Sequence, residues 1–396
     1  TIDKDSDVTL LGGGIVFFML KPVRKAISDR DNIYAVVKAT AMNNDGASNG
    51  ITATNAEAQE EVVMRAWETA KINPETISYI ETHGTGTVLG DPIEVKGLTD
   101  AFRKYTTKKQ FCAIGSLKPS MGHLVAASGA ASMLKVIMSM KNKKMAPTLN
   151  FNTPNPYINF VNSPLYVCDK LQDWTVQGFP RRGGVSSFGF SGTNIHAVLE
   201  EYEPQHNTEN LKSGYCVTIS AKKNYLLKDY LAKYKHYITN NDNWNLPDLA
   251  FTANTGRGHY AHRLAIIAED ENSFRDKINM LAESNELFSV PEAGIFYDNH
   301  KIINDRKEKK EGEIYAEDRK KYTNQANEII GGIENNQNYL QSLTQLAELY
   351  VKGADISFDK LYSDEKRYRI SIPTYPLERV RFWAEHKESK FVNELK

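Results

Sequence analysis

Cysteine, net charge and long apolar segments are all scarce in this sequence of 396 residues. The three cysteines, Cys112, Cys168 and Cys216, are too few and too scattered for a disulfide framework or a cysteine-rich zinc site, which favours a reducing, cytoplasmic compartment. Basic and acidic residues balance at 49 each, so bulk charge argues against nucleic acid or an anionic membrane as partner. The longest weakly charged run, residues 124–140, contains Lys135 and is too short to span a membrane.

Several common catalytic and nucleotide-binding motifs are also missing. The sequence has no GxxxxGK[ST] phosphate loop and no GxSxG elbow, and the glycines of residues 84–90 (GTGTVLG) have the wrong spacing for a dinucleotide fingerprint. His259 and His262 form an HxxH pair without acidic or thiolate ligands at metal-binding spacing, which favours a structural role. We therefore predict no metal site. The first residues have neither the basic start of a signal peptide nor an initiator methionine, which suggests a chain that begins inside a larger sequence.

Strand-like and helix-like patterns alternate through the first two hundred residues, which predicts an α/β layer fold. Asn55 is expected to cap a helix over residues 56–72. Asp91 and Glu94, on either side of Pro92, are expected to cap a second helix. The predicted strands cover residues 14–20, 33–39, 76–80, 111–116, 185–190 and 195–200, and a long buried helix is predicted over 124–140.

The composition changes at residues 202–214, which predicts a boundary between a first domain, 1–203, and a second, 204–396. In the second domain the patterns predict helices over 220–237, 244–254 and 340–351 and a strand over 262–268. The strongly charged stretch 301–321 is expected to be a solvated loop or helix face, because its charges are of nearly balanced sign.

Two histidines stand out by their surroundings. His83 lies in the segment ETHGTGT directly after a predicted strand, where glycines let a ligand approach the backbone. His123 lies in SLKPSMGHLVAASG, immediately before the long helix, and the positive end of a helix dipole favours a neutral imidazole. A neutral imidazole can donate a hydrogen bond to a developing oxyanion. The alternative, that both are core histidines with satisfied hydrogen bonds, stays open from these residues alone.

The order of several long motifs carries a specific resemblance. The segments ETHGTGT, GDPIE, IGSLKPSMGHLVAASG, APTLNFNTPNP and GVSSFGFSGTNIHAVLEE resemble the C-terminal half of a β-ketoacyl synthase domain from a modular polyketide synthase, over about residues 1–200. This resemblance implies a thiolase-like α/β fold. It also implies an enzyme that joins an acyl chain to a malonyl unit carried on an acyl carrier protein.

The resemblance also implies roles for six residues. His83 and His123 match two members of a Cys-His-His triad, which bind the thioester carbonyl of the malonyl group and stabilise the enolate formed when carbon dioxide leaves. Lys118 matches a lysine that supports the second histidine. Thr85 and Thr87 match positions that bind the phosphopantetheine arm, and Phe188 matches an aromatic gate beside the pocket. Taken singly, the lysine fits a surface position, the threonines fit a turn and the phenylalanine fits a core.

The sequence departs from the family at two places. The family's nucleophilic cysteine belongs to the N-terminal half, and none of the three cysteines here has the right context, so the chain by itself is not expected to form the acyl-enzyme. Gly13, in LLGGGIVF, stands where the family usually has the acid of a GEG-like turn. Its loss either removes a polar contact near the active site or only loosens the turn.

The second domain resembles the small α/β flanking subdomain and tail that follow ketosynthases, through LAFTANTGRGHYAHRLAII, AELYVKGADISFDKLY and IPTYPLERVRFW. No acyltransferase sequence lies between these markers, which implies a trans-acyltransferase type of synthase. Tyr375, Pro376 and Trp383 are expected to be anchors that pack back on the ketosynthase.

The leading hypothesis is therefore a ketosynthase that carries out decarboxylative Claisen condensation once a Cys-bearing N-terminal half completes it. The implied partners are an acyl carrier protein that delivers phosphopantetheine, that N-terminal half, a trans-acting acyltransferase and a second copy in a homodimer, with no cofactor bound directly. The alternative is a ketosynthase-like scaffold that holds a carrier protein or passes chains on without condensation.

Overall fold

In the computed structural model, residues 1–6, 9–46, 54–203, 212–241, 244–303, 307–333 and 338–381 are described. The chain divides into two compact units. Unit 1 comprises Thr1–Ala26 and Ile33–Gln205, and unit 2 comprises Ile27–Asn32 and His206–Lys396. The boundary predicted at 203/204 stays a prediction, since the linker residues 204–211 lie outside the described parts.

The frame of unit 1 is a mixed six-stranded sheet with the order β1-β8-β7-β2-β3-β5. The strands β7, β2, β3 and β5 run parallel to one another, whereas β8 is antiparallel to both β1 and β7. Two further short strands, β4 and β6, pair separately. The bounds are β1 Val36–Asn44, β2 Ile77–Glu81, β3 Cys112–Gly115, β4 Lys144–Met145, β5 Leu165–Val167, β6 Gln172–Asp173, β7 Arg182–Phe188 and β8 Thr193–Glu200.

Helices cover this sheet because its central strands are apolar on both faces. In the described residues before 143, the helices are α1 Val23–Ser28, α2 Ala56–Ala70, α3 Gly90–Arg103, α4 Lys118–Met121 and α5 Ser128–Asn142. Asn55 caps α2 as predicted, by accepting hydrogen bonds from two backbone amides of the first turn. Trp67 of α2 and Phe102 of α3 are fully buried, with ring centroids 4.6 Å apart, in the cluster that covers β2 and β3.

Unit 2 is built on an antiparallel three-stranded sheet with the order β11-β10-β9. Successive residues of β10 alternate between two apolar clusters, one with Leu264 and Ile266 and the other with Ala265 and Ile267, so helices cover both faces. The strands are β9 Tyr215–Ala221, β10 His262–Ala268, β11 Ile295–Asn299, β12 Lys301–Ile303 and β13 Glu313–Tyr315. The helices are α6 Asn224–Asn240, α7 Leu246–Thr255, α8 Glu271–Glu283, α9 Ala316–Gly332 and α10 Tyr339–Val351.

The strand predicted over residues 14–20 is wrong. This segment has no regular secondary structure and pairs with no strand in the described part of the chain, and Phe17 and Met19 are 89% and 95% exposed. An apolar run becomes a buried strand only where a neighbouring strand and a covering layer exist, and the described residues supply neither.

Two other predicted elements are corrected by the structure. The helix predicted over 220–237 begins only at Asn224, because Ser220 and Ala221 are the last residues of the fully buried strand β9. The helix predicted over 124–140 begins with a separate 3₁₀ turn, Val125–Ala127, before α5.

Among the described residues, none of the helices combines the length and the apolar character that a membrane span requires.

Candidate active site

The candidate site lies at one edge of the unit 1 sheet because parallel strands end side by side. The strand β2 ends at Glu81 and delivers His83 two residues later, and β3 ends at Gly115 and leads to Lys118. The strand β7, which is parallel to β2, ends at Phe188. The carboxyl ends of parallel strands are a common place for ligand sites in α/β folds. The fold therefore places His83, Lys118 and Phe188 at the same edge.

Four of the six predicted site residues meet there. The ring centroids of His83 and His123 are 5.6 Å apart and the rings are nearly perpendicular, at 83°. The ring of Phe188 lies 5.7 Å from that of His83 and is buried. The ammonium group of Lys118 donates a hydrogen bond to the carbonyl oxygen of His83. Segments up to 105 residues apart in sequence, from His83 to Phe188, thus form one compact cluster of two imidazoles, one ammonium group and one aromatic ring.

The loop around His123 fixes which nitrogen of its ring carries the proton. The backbone N–H of Val125 donates to Nδ1 at 3.1 Å, and the hydroxyl of Ser128 lies 2.7 Å from the same nitrogen. An atom that accepts from a backbone N–H carries no proton itself, so the neutral ring has its proton on Nε2. His123 therefore presents an N–H donor on the side away from Val125. Ser128, the first residue of α5, is a contact that sequence reasoning missed.

The backbone of residues 10–12 is hydrogen-bonded to the loop that carries His123. The N–H of His123 donates to the carbonyl of Leu10 at 2.7 Å, and the N–H of Gly12 donates to the carbonyl of His123 at 3.0 Å. A Cβ on Gly12 would lie 2.3 Å from the carbonyl oxygen of Met121, so only glycine permits this approach. A Cβ on Gly13 would meet no atom of the described part of the chain within 4 Å.

Two buried carboxyl groups hold the ETHGTGT loop. Glu94 accepts the backbone N–H groups of His83 at 2.7 Å and Gly84 at 2.8 Å. Asp91 accepts the N–H of Gly86 at 3.1 Å and that of Ile2 at 2.6 Å. The predicted capping role of both acids is wrong, because α3 begins at Gly90 without a side-chain cap and both carboxyl groups turn to the loop instead. The sequence signal for this was an acidic pair at helical spacing after a glycine-rich loop.

The electrostatics of the cluster keep both imidazoles neutral near pH 7. Burial, followed by the positive charge of Lys118 and the proximity of the His123 ring, lowers the pKa of His83 to about 3. Burial and the charge of Lys118 also lower the pKa of His123. Burial lowers the pKa of Lys118, although the carboxyl groups of Glu94, Glu81 and Asp91 act against this. Burial raises the pKa of Glu94 to about 7.

The two threonines predicted to bind the phosphopantetheine arm lie in the loop beside His83. The hydroxyls of Thr85 and Thr87 are 3.4 Å apart, and that of Thr87 also accepts the N–H of Gly90 at 3.1 Å. Thr87 is exposed and Thr85 half-buried. Neither residue is fully buried, and their predicted role stays a prediction.

None of the three cysteines has the character of a nucleophile. All three are free and buried, and burial raises the pKa of each thiol, that of Cys216 to about 12. A nucleophilic thiolate needs a lowered pKa and access to substrate.

The HxxH pair has hydrogen-bond partners in unit 2. Nδ1 of His259 lies 2.8 Å from the hydroxyl of Tyr350, and Nδ1 of His262 lies 3.1 Å from that of Tyr297. The described residues contain no group of three or more side chains that could hold a metal ion.

Comparison with known proteins agrees with this architecture. Residues 34–152 match the family model of the beta-ketoacyl synthase C-terminal domain, and residues 215–278 match the model described as CurL-like, PKS C-terminal. The chain is 39% identical to the polyketide synthase PksL of Bacillus subtilis, a match that covers 98% of this chain and 8% of that protein. It is 36% identical to the polyketide synthase PksM of the same organism, covering 96% of this chain and 9% of that one.

Solved ketosynthases share the fold. A mutant of the ketosynthase from module 6 of the bacillaene synthase of Bacillus subtilis matches with a TM-score of 0.76 at 37% identity, covering 92% of this chain and 60% of that one. The ketosynthase from module 1 of the bacillaene synthase of Bacillus amyloliquefaciens matches with a TM-score of 0.73 at 29% identity, covering 97% and 62%.

The chain belongs to the thiolase-like β-ketoacyl synthases. Within that family it is a C-terminal part of a polyketide synthase ketosynthase domain, followed by the flanking region, so the resemblance and the fold class expected from the sequence are confirmed. It spans less than a tenth of the curated synthases described above and about three fifths of the solved ketosynthases.

Proposed function

We propose that this chain supplies the histidine-bearing half of a ketosynthase that carries out decarboxylative Claisen condensation between an acyl thioester and a malonyl thioester on an acyl carrier protein. The observation that carries the proposal is the pair of neutral imidazoles, His83 and His123, held with Lys118 at the carboxyl edge of the sheet. Such a pair offers hydrogen-bond donors to a single oxygen atom without needing to ionise.

The reaction has two bond changes that need this stabilisation. The bond from C2 of the malonyl group to its carboxylate breaks, carbon dioxide leaves, and the electron pair moves onto the thioester as an enolate. The enolate carbon then forms a bond to the acyl carbon, and the enzyme thiolate leaves. The negative charge resides on the thioester oxygen between these steps. N–H donors that already point at that oxygen lower the barrier because they need no reorganisation.

The protonation states of the two histidines suit the stabilisation of this oxyanion. The proton of His123 is on Nε2, since Nδ1 accepts from Val125 and lies against Ser128. His83 stays neutral because burial and the Lys118 charge oppose its protonation. We assign Lys118 to holding the His83 backbone and to adding a positive charge near the developing oxyanion. Thr85 and Thr87 are proposed to bind the phosphopantetheine arm, and Phe188 to gate the pocket.

The nucleophilic thiol must come from outside these 396 residues. An N-terminal, Cys-bearing half in the same or another polypeptide is the proposed source. The exposed apolar side chains of Ile15, Phe17 and Met19 support this, because 80–95% exposure is typical of a surface meant to be covered. A trans-acting acyltransferase, a homodimer and a cytoplasmic location belong to the same proposal.

A second candidate function is a scaffold that holds a carrier protein or passes chains on without condensation. Gly13 favours it, since the acid usual in the family is absent there and no side chain of the described residues fills the space within 4 Å of its Cβ position. The intact pair of histidines favours catalysis.

The deciding experiment combines this chain with an N-terminal ketosynthase half that bears the cysteine and measures carbon dioxide release from malonyl-carrier protein. We expect release by the wild type and a loss of about 100-fold or more in His123→Ala, the scale of one oxyanion donor. His236→Ala, at an exposed histidine on α6, is the matched control and is expected to keep full activity. A folded, complemented wild type without carbon dioxide release would overturn the catalytic proposal and favour the scaffold.

A further inference from the structure

A buried, charged cluster lies next to the segments that carry His83 and Lys118. Glu81, the last residue of β2, is fully buried, and its Oε2 atom is 2.8 Å from the ammonium nitrogen of Lys135 on α5. The same Oε2 accepts the hydroxyl of Tyr79 at 2.7 Å. The other carboxylate oxygen, Oε1, accepts the backbone N–H of Leu117 at 2.6 Å. One carboxylate therefore joins β2, α5 and the loop after β3.

This cluster is poorly explained as a device for stability. Taking two charges out of water costs several kcal/mol per ion, and apolar residues of similar volume often stabilise a core equally well or better. The side chains of Lys135 and Glu81 are only 9% and 0% exposed. The surrounding backbone also makes room for the cluster, because a Cβ on Gly115 would lie 2.5 Å from the Tyr79 hydroxyl oxygen.

The carboxylate touches both segments that build the site. Glu81 is two residues before His83, and Leu117 is directly before Lys118, whose ammonium group donates to the His83 carbonyl. A second contact joins the two segments. Thr82 donates its N–H at 2.8 Å and its hydroxyl at 2.9 Å to the carbonyl of Gly115. Glu81 thereby fixes the start of the Lys118 turn relative to the strand that carries His83.

We propose that Glu81, held in place by Lys135, is a positioning residue that sets Lys118 against the backbone of His83 by accepting the Leu117 N–H. The inference rests on the proposed condensation for its catalytic consequence, but its structural part stands independently. Glu81 acts through Leu117 and Lys118 and has no role at the reacting atoms. Lys135 supplies the positive charge that pairs with the Glu81 carboxylate in the core, 2.8 Å away.

Two double variants separate positioning from stability. Glu81→Leu/Lys135→Met removes both charges and the acceptor of the Leu117 N–H. Glu81→Gln/Lys135→Met removes both charges but keeps a carboxamide oxygen that can accept it. Glu201→Leu/Arg181→Met is the matched control, since it removes a pair of similar burial, 2.8 Å apart, next to the opposite end of β7.

The first readout is amide hydrogen exchange at Leu117 in this chain. We expect exchange at least about tenfold faster in the Leu/Met variant, the equivalent of one buried hydrogen bond to a charged group. The Gln/Met variant and the Glu201/Arg181 control should stay within about threefold of wild type. Equal exchange in the two Glu81 double variants would overturn the proposal. So would a wild-type Leu117 amide that exchanges as fast as in an unfolded peptide, a result that needs no variant to fold.

The second readout is decarboxylation by the complemented assembly. The Leu/Met variant is expected to lower kcat about tenfold with an unchanged KM for malonyl-carrier protein, and the Gln/Met variant to restore most of it. A parallel loss in all three variants would show that Glu81 only stabilises the fold. If the wild-type assembly releases no carbon dioxide, the proposed function fails, while the exchange experiment still decides whether Glu81 positions the turn.

Discussion

The imidazole of His83 is surrounded so that protonation is costly. Burial removes water, and Lys118 places a positive charge beside the ring, so the pKa of His83 falls to about 3. Its Nδ1 atom is buried without a hydrogen-bond partner among the described residues. Under the proposed function this cost is useful, because a histidine that stays neutral remains an N–H donor over the whole range in which the enzyme works.

Replacement of Lys118 tests this arrangement at a single residue. In Lys118→Met the neighbouring positive charge is gone, so we expect the pKa of His83 to rise from about 3, while burial still keeps it below 6.5. Titration of the histidine ring resonances by NMR measures the change. Lys96→Met, at an exposed lysine on α3 paired with Asp100, is the control and should leave the His83 pKa unchanged. A fall in the His83 pKa in Lys118→Met would contradict the proposed electrostatics.

At the scale of elements, the site is a consequence of parallel strand order. The sequence predicts the strands before His83 and Lys118, and both exist with each end shifted by one residue. It did not reveal that β2 and β3 are hydrogen-bonded neighbours, with β7 on the other side of β2. Neighbour order depends on contacts between segments far apart in the chain, which periodicity does not encode.

The same limit explains what was missed in the loops. The acids of GDPIE fit a helix start, and local spacing alone favours a cap. Only the folded loop shows that the N–H groups of His83 and Gly84 point at Glu94, which outweighs capping because buried amides must be paired.

The glycines before His123 allow a test at this scale. Gly12→Ala places a Cβ 2.3 Å from the Met121 carbonyl oxygen, so the backbone of residues 10–12 must move away from the His123 loop. We expect a loss of about 1–3 kcal/mol in the free energy of unfolding, the usual cost of overpacking, measured by urea denaturation. The added Cβ of Gly13→Ala meets no described atom within 4 Å, so this substitution should change the free energy of unfolding by less than about 0.5 kcal/mol. Equal effects of the two substitutions would show that the contact between residues 10–12 and the His123 loop is not rigid.

At the scale of the whole molecule, two units with separate cores lie on one chain. Tyr375, an expected anchor on the ketosynthase, packs against two tyrosines of unit 2, with ring centroids 5.0 Å from Tyr260 and 6.0 Å from Tyr230. The same anchoring role on the ketosynthase stays a prediction for Pro376 and for Trp383, which lies outside the described residues. The flanking unit thus uses part of the tail to complete its own core.

Buried neutral histidines make unit 1 sensitive to acid. The pKa values of His83 and His196 are lowered to about 3, mainly by burial, against 6.5 in the unfolded chain. Between these values the unfolded state binds more protons, so stability falls as the pH falls below about 6.5, by up to about 1.4 kcal/mol per pH unit for each histidine. Glu94 acts in the opposite sense, since its raised pKa of about 7 favours the folded state on acidification.

Urea denaturation followed by tryptophan fluorescence at pH 7 and pH 5 checks this, because Trp67 and Trp174 are buried in unit 1. We expect lower stability at pH 5 and a smaller pH dependence in His196→Gln, which removes one of the two groups. A wild-type stability that is higher at pH 5 would show that Glu94 dominates.

The sequence by itself determined the family, the α/β class and the identity of the residues that meet at the site, because motif order and apolar periodicity are local properties of the chain. Only the tertiary structure decided that Glu94 and Asp91 hold the loop and that Glu81 ties Leu117 to β2. It also decided that Ile15, Phe17 and Met19 stay exposed. Each of these depends on which distant segments become neighbours, and a buried hydrogen-bonding group or an apolar side chain has its role set by what lies against it.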